Sequence, residues 1–233
     1  MSELLAVKIW GEMACFTRPE MKVERLSYNV MTPSAARGIL EAIFWKPEFK
    51  WRVREIWILN EIRHISFLRN EINSRQSERS DASKGGHYYA DAGKNRAQRH
   101  TVALRDVVYI VRAEQILAAH TADSPKKYSE QFFRRVKKGQ YFHHPYLGCR
   151  EFAAHFAPVD GTEKPILLSD DLGMMLFDIR YEQFPKGNIQ FYSHDGKTTN
   201  SVKGKAKPVF FQARLEKDIL HVPERLYNEG GQR

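Results

Sequence analysis

Two stretches of this 233-residue chain carry a helical period, and each brings its own start and stop residues. In "TPSAARGILEAIFWKP", Thr32 can cap a helix and Pro33 suits its first position. Ile39, Leu40, Ile43 and Phe44 then form an apolar stripe that Pro47 closes. In "SPKKYSEQFFRRVKKG", Ser124 is the cap, Pro125 the first position and Gly139 the stop. Ser129, Phe132, Phe133 and Val136 supply its inward stripe. The other periodic segments read as strands, so few helices must be set among many strands.

The strands follow in order. "LLAVKIWG" puts Leu5, Val7 and Ile9 on one face, with Gly11 ending the strand. Residues 51–59 and 62–68 read as strands that run on or fold back on each other, and 101–114 is rich in Val, Tyr and Ile. "LGCREFAAHFAPV" (147–159) reads as another. The expected class is therefore α+β: a ferredoxin-like βαββαβ domain over 1–158, the frame also of the RNA-recognition module. Residues 159–233 read as a small antiparallel β domain, with a basic hairpin from Lys197 to Lys207 and a flexible tail. Residues 70–100 read as a long polar loop. Its Arg75, Arg79, Lys84, Lys94, Arg96 and Arg99 could grip a phosphate backbone.

Charge narrows the partner. Lys plus Arg is 37 against 28 for Asp plus Glu, a net +9, which points to an anion, most often nucleic acid. Cys15 and Cys149 show no metal or redox spacing and suit a reducing cytosol. Glu3 and Lys8 interrupt the first segment, so no signal peptide is expected, and no apolar run approaches the roughly 18 residues of a membrane helix. A cytoplasmic protein without membrane contact is the expectation. There is no P-loop, zinc-type cluster or GxSxG, and no cofactor or metal is expected. His143 and His144 in "YFHHPYLG" lack an evident third ligand and read as a loop that contacts RNA or packs.

Lys126 and Lys127 are the oddity. Cations are unfavourable at a helix N-terminus, so their presence suggests that an anion belongs there. Their crowding should favour loss of a proton from one of them. Lys127, Arg134 and Lys138 share a face away from the apolar stripe, flanked by Arg135 and Lys137.

"ERLSYNVMTPSAARGILEAIFWKP", "KKYSEQFFRRVKKG", "PYLGCREF" and the opening "KIWGEMACFTRPEMK" resemble the fifth CRISPR-associated protein family in its subtype I-C, or "d", form. That family belongs to the RAMP superfamily of RNA-binding proteins. The resemblance implies an endoribonuclease that binds the CRISPR repeat hairpin and cuts precursor CRISPR RNA at the 3′ base of the stem. It implies metal-independent attack by the 2′-hydroxyl. Afterwards the protein would stay on the 5′ handle as a Cascade subunit, beside the backbone and large subunits.

The family pattern places a Tyr before an aromatic-Lys-Pro run and an adjacent Lys and His at the start of the second long helix. Here "FWKP" puts Phe44 at the Tyr position, while Lys126 matches the Lys and Lys127 replaces the His. Tyr128, His120, His143 and His144 stand near enough in sequence to take over proton transfer. The implied catalytic set is Lys126, Lys127 and Tyr128. The implied RNA-binding set is Phe44, Trp45, Lys46, Arg134, Arg135, Lys138, His143, His144 and Arg150. The alternative is a weakly catalytic or non-catalytic handle-binding subunit, with double-stranded DNA as a candidate second ligand. A generic RNA-recognition module would show a "K/R-G-F/Y" signature, which is not found.

Overall fold

Alternating and β-branched runs leave long ladders to be paired, and a computed structural model shows how they are satisfied. It describes residues 4–21, 23–73, 92–164, 166–194 and 199–228. The elements are β1 (Leu5–Ala14), β2 (Arg25–Leu26), α1 (Pro33–Ile43), β3 (Phe49–Ile58), β4 (Arg63–Ile72), α2 (Ala92–Asn95) and β5 (Arg96–Leu117). They continue as α3 (Pro125–Lys137), β6 (His155–Ala157), β7 (Asp170–Gln183), β8 (Ile189–His194), β9 (Thr199–Glu216), β10 (Ile219–His221) and α4 (Arg225–Asn228). The molecule is mixed α/β with one large, mostly antiparallel sheet. The main path runs β6-β1-β5-β3-β10-β9-β7.

β5 organises this sheet. Its C-terminal half pairs with β1 (Val7↔Val111) and with β3 (Ile56↔Val111), while its N-terminal half pairs with β4 from Arg63↔Arg105 to Ile72↔Arg96. The changeover falls at Asp106, whose φ of 53° is a left-handed conformation that Asp tolerates. Two sequence expectations are corrected here. The strands expected at 51–59 and 62–68 do not pair with each other but with successive parts of β5. Residues 70–72 and 96–100, expected in a loop, are paired strand. Arg75, Arg79, Lys84 and the Lys94 side chain lie outside the described residues, as does Lys197.

Gly11 does not end β1; it sits inside the strand. A Cβ there would come within 2.5 Å of Leu147 Cδ1 and 2.8 Å of the Ala153 carbonyl, so glycine lets the 147–153 segment cross the strand closely. That segment is a turn rather than the expected strand, and only His155–Ala157 pairs with β1. Gly148 explains the break: its φ is +85°, and a Cβ would meet the Cys15 carbonyl at 2.1 Å.

Both long helices follow their sequence signatures. In α1, Thr32 Oγ1 accepts from Ala35 N, and Ala36, Ile39, Leu40 and Ile43 are buried. In α3, Tyr128, Ser129, Phe132 and Val136 are buried, but Phe133 is 39 % exposed, so the inward stripe shifts toward Tyr128. Ser124 makes no side-chain cap bond. An aromatic cluster fixes α3 to the sheet. Phe49 packs against Phe44 (5.4 Å between ring centres), Tyr128 (5.4 Å) and Trp51 (5.5 Å), and Trp51 meets Phe132 edge-on at 4.9 Å. Such pairs add about 0.5–1.5 kcal/mol each beyond their burial. Trp51 Nε1 donates to the Phe44 carbonyl at 2.9 Å, so the ring is also polar-satisfied. Among the described residues, no helix is long and apolar enough to cross a membrane.

Candidate active site

The linker after α1 and the linker before α3 are stitched together. The Glu48 carbonyl accepts from Ala118 N at 2.8 Å and from Thr121 Oγ1 at 2.9 Å. This brings Glu48, just past the "FWKP" run, to the linker that leads into α3, and Phe49 packs on Tyr128 of its first turn. Phe44 itself is 1 % exposed, with its ring against Phe49 and under the Arg135 guanidinium. It ends the apolar stripe of α1 and packs in the core, so its expected role as an RNA contact is withdrawn. Trp45 and Lys46 are exposed on the same linker.

The first turn of α3 presents two ammonium groups to solvent. The Lys126 side chain is 81 % exposed and lies 3.8 Å from Glu130. The Lys127 side chain is 51 % exposed, and its Nζ donates to Asp123 Oδ2 at 2.8 Å. Each ammonium has its own carboxylate. Exposed ion pairs of this kind contribute about 0–1 kcal/mol, so an incoming phosphate can displace them.

Tyr128 is placed differently from the expectation. Its ring is buried at 2 % exposure, and its hydroxyl donates to the same Asp123 Oδ2 at 2.8 Å. Burial first, then Asp123 and Glu48, push its phenol up to about 12. It therefore stays protonated near neutral pH, occupied by Asp123, and supports the turn from beneath. Asp123, which the sequence reading missed, accepts from both Lys127 and Tyr128. Its signal was the Asp-to-Lys spacing of four across the helix start. Lys127 first and Tyr128 second hold its carboxyl below the ordinary range. A lowered folded value means that this contribution is present above the unfolded pKa of about 3.9 and is lost as pH falls through the folded value.

Asp123→Asn should bring the Tyr128 phenol down from about 12, while burial still keeps it above the usual tyrosine value. Following phenolate absorbance through an alkaline titration checks this. No shift would mean that the Asp123 contact does not control the phenol.

The other end of α3 holds a second basic group. A helix of 13 residues is about 20 Å long, so the lysine turn and Arg134–Lys138 mark opposite ends of an elongated face. Arg134 and Lys138 are exposed. Arg135 is half-buried, donates to the Ile43 carbonyl at 2.9 Å and covers Phe44 at 5.3 Å. It ties α3 to the end of α1, a structural use that the expected RNA contact did not include. Phe142 N and His143 N both donate to the Ala42 carbonyl, at 2.8 and 3.2 Å, which holds the 140–144 loop against that same end. His143 and His144 are exposed there, His143 beside Phe142 and His144 with Nδ1 2.9 Å from the Pro145 carbonyl. Tyr141 (46 % exposed) and Phe142 (69 %) were not selected from sequence, yet they line a shallow depression with Arg135, Gly139 and Gln140. Aromatic faces beside cations are what a splayed base requires. Arg150 is exposed on the turn after Gly148.

Residues 4–223 match the Cas5d family model, described as CRISPR-associated protein (Cas_Cas5). The chain is 48 % identical over 225 residues to the CRISPR pre-crRNA endoribonuclease Cas5d of Thermus thermophilus, covering 97 % of this chain and 93 % of that protein. It is 40 % identical over 238 residues to the protein of the same name from Mannheimia succiniciproducens, covering 96 % of each. A crystal structure of a CRISPR-associated protein shares its fold, with a TM-score of 0.62 at 20 % identity over 97 % of this chain and 94 % of that one. With a family match over nearly its whole length and two relatives well above 30 % identity, this chain belongs to the Cas5d family of CRISPR-associated proteins.

Proposed function

We propose that this chain is a pre-crRNA endoribonuclease. It binds the hairpin of the CRISPR repeat along α3 and cuts at the 3′ base of the stem. The observation that carries the reading is the pair of exposed ammonium groups, Lys126 and Lys127, on the first turn of α3, whose leading linker is bonded to Glu48 just past "FWKP". The near-full-length relatives named for this activity support it. The ferredoxin-like reading of residues 1–158, with 159–233 as a β-rich extension, is supported by the β6-β1-β5-β3 strand order. β10 joins the extension to the edge of β3.

The reaction is a transesterification within the RNA. The 2′-oxygen bonds to the adjacent phosphorus as the bond from phosphorus to the 5′-oxygen breaks, leaving a cyclic phosphate and a 5′-hydroxyl. The 2′-hydroxyl proton goes to a base, for which His120, exposed in the linker before α3, is the candidate. Lys126 stabilises the charge that develops on the phosphorane oxygens, and Lys127 gives a proton to the leaving 5′-oxygen. No step is assigned to a metal.

After cutting, the protein remains on the 5′ handle as a cytoplasmic Cascade subunit. Double-stranded DNA is a candidate competitor for the same basic face. The second reading, a handle-binding subunit without cleavage, is favoured by one fact: the tyrosine nearest the lysines, Tyr128, is buried and held by Asp123. Incubation with the repeat RNA, beside an RNA of the same composition that cannot form the stem, separates the two. One hairpin-dependent product ending at the stem base supports the nuclease. Tight binding with no product supports the clamp.

Arg134→Ala and Lys138→Ala should each weaken hairpin binding and lower the slope of log affinity against log salt by about 0.7–0.9. Slopes that stay unchanged would place these residues off the RNA.

A further inference from the structure

The extension built from β7, β8 and β9 has two unlike faces. Partners across a ladder share a face, and alternate residues of a strand share one. In β9, Lys203, Lys205 and Lys207 alternate and are all exposed. Across from them stand Gln190, Glu182 and Arg180, and Tyr192 faces Ser201 in the next step. Tyr192 is 78 % exposed. The opposite face is apolar, with Val202, Ala206 and Pro208 of β9 opposite Phe191, Tyr181 and Ile179.

We propose that the lysine face of this extension binds the backbone of single-stranded RNA, with Tyr192 as a stacking platform. Three observations carry it. Lysines two residues apart on a strand repeat at about 6.8 Å, close to the step between phosphates of an extended polynucleotide. Among the described residues no ion pair holds these lysines; Lys205 instead lies 4.0 Å over the Phe184 ring. β9 pairs with β7 over Gly204–Leu215 and with β8 over Thr199–Gly204, so each of these lysines has a ladder partner on one side. Lysine on an open strand edge blocks aggregation, but that use does not require an exposed tyrosine on the same face. A basic row with an exposed aromatic on the same face is the arrangement that holds a single strand without sequence preference. The choice of RNA over DNA rests on the proposed RNA-processing role, and the surface would hold a strand that runs on from the hairpin.

The test uses the full-length protein and a fluorescently labelled uridine-rich strand of about 12 nucleotides. The triple variant K203A/K205A/K207A should bind this strand at least tenfold more weakly at low salt. Its salt slope should fall by about 2, from three contacts of roughly 0.7 each. The triple Lys→Arg variant should restore both values, and Tyr192→Ala should cost a further several-fold. Affinity for a repeat hairpin trimmed of single-stranded tails should not change. An unchanged single-strand affinity and slope in the triple alanine variant would overturn the proposal. So would an equal loss on the trimmed hairpin, which would make the lysines part of the hairpin site. Tighter binding of the matching DNA strand would overturn the assignment to RNA. None of these readouts requires cleavage, so they stand apart from the fate of the nuclease reading.

Discussion

Lys126→Ala should leave this protein folded and bound to its hairpin while slowing cleavage by about 10²–10³-fold, the usual loss when one preorganised donor to a charged intermediate is removed. The side chain is 81 % exposed and its ion-pair partner, Glu130, is 3.8 Å away, so stability should stay within about 0.5 kcal/mol. Affinity should fall only a few-fold, because Lys46, Arg134 and Lys138 are also exposed to share the phosphates. Single-turnover cleavage measured beside equilibrium binding separates the two effects. Parallel losses of rate and affinity, with folding intact, would make Lys126 a binding residue only.

Phe132→Ala has the opposite signature. Phe132 is fully buried in α3 and meets Trp51 at 4.9 Å, so truncation should cost about 3–5 kcal/mol. In a domain of this size that lowers the thermal midpoint by roughly 10 °C. Cleavage and binding should fail together, because the ring seats the helix that carries both basic ends. A midpoint within a degree or two of the parent would mean that this packing does not anchor α3. Together the two variants separate a group that acts on the RNA from one that positions the helix.

The two helices were legible because their boundaries are chemical: Thr32 with Pro33, and Pro125 with Gly139, mark ends that packing did not move. The strand partners were not legible. β5 is 22 residues long and changes partner at Asp106, and nothing in period-two alternation says which ladder a strand will join. Gly11 read as a stop because glycine usually interrupts; its use here, admitting Leu147 and the Ala153 carbonyl, depends on a contact distant in sequence.

The candidate site was partly legible. The lysine pair stood out because it offends helix electrostatics, and it is exposed where that argument needs it. Phe44 already closed an apolar stripe, and its burial follows that stripe rather than the position it occupies in the family pattern. Asp123 was missed because it lies just before the helix, where its bonds to Lys127 and Tyr128 form only once the turn has folded. Tyr141 and Phe142 were passed over for the histidines beside them, although their rings are exposed on the same loop.

The most direct measurement pairs two RNAs in EDTA: the protein's own repeat RNA, and a copy with a 2′-deoxy nucleotide at the cut site. Cleavage of the first and not the second is the expected result, since the proposed reaction makes the 2′-oxygen the nucleophile and assigns no step to a metal. Cleavage of both would contradict 2′-hydroxyl attack, and cleavage of neither, with tight binding retained, would contradict the assignment of Lys126 and Lys127 to catalysis.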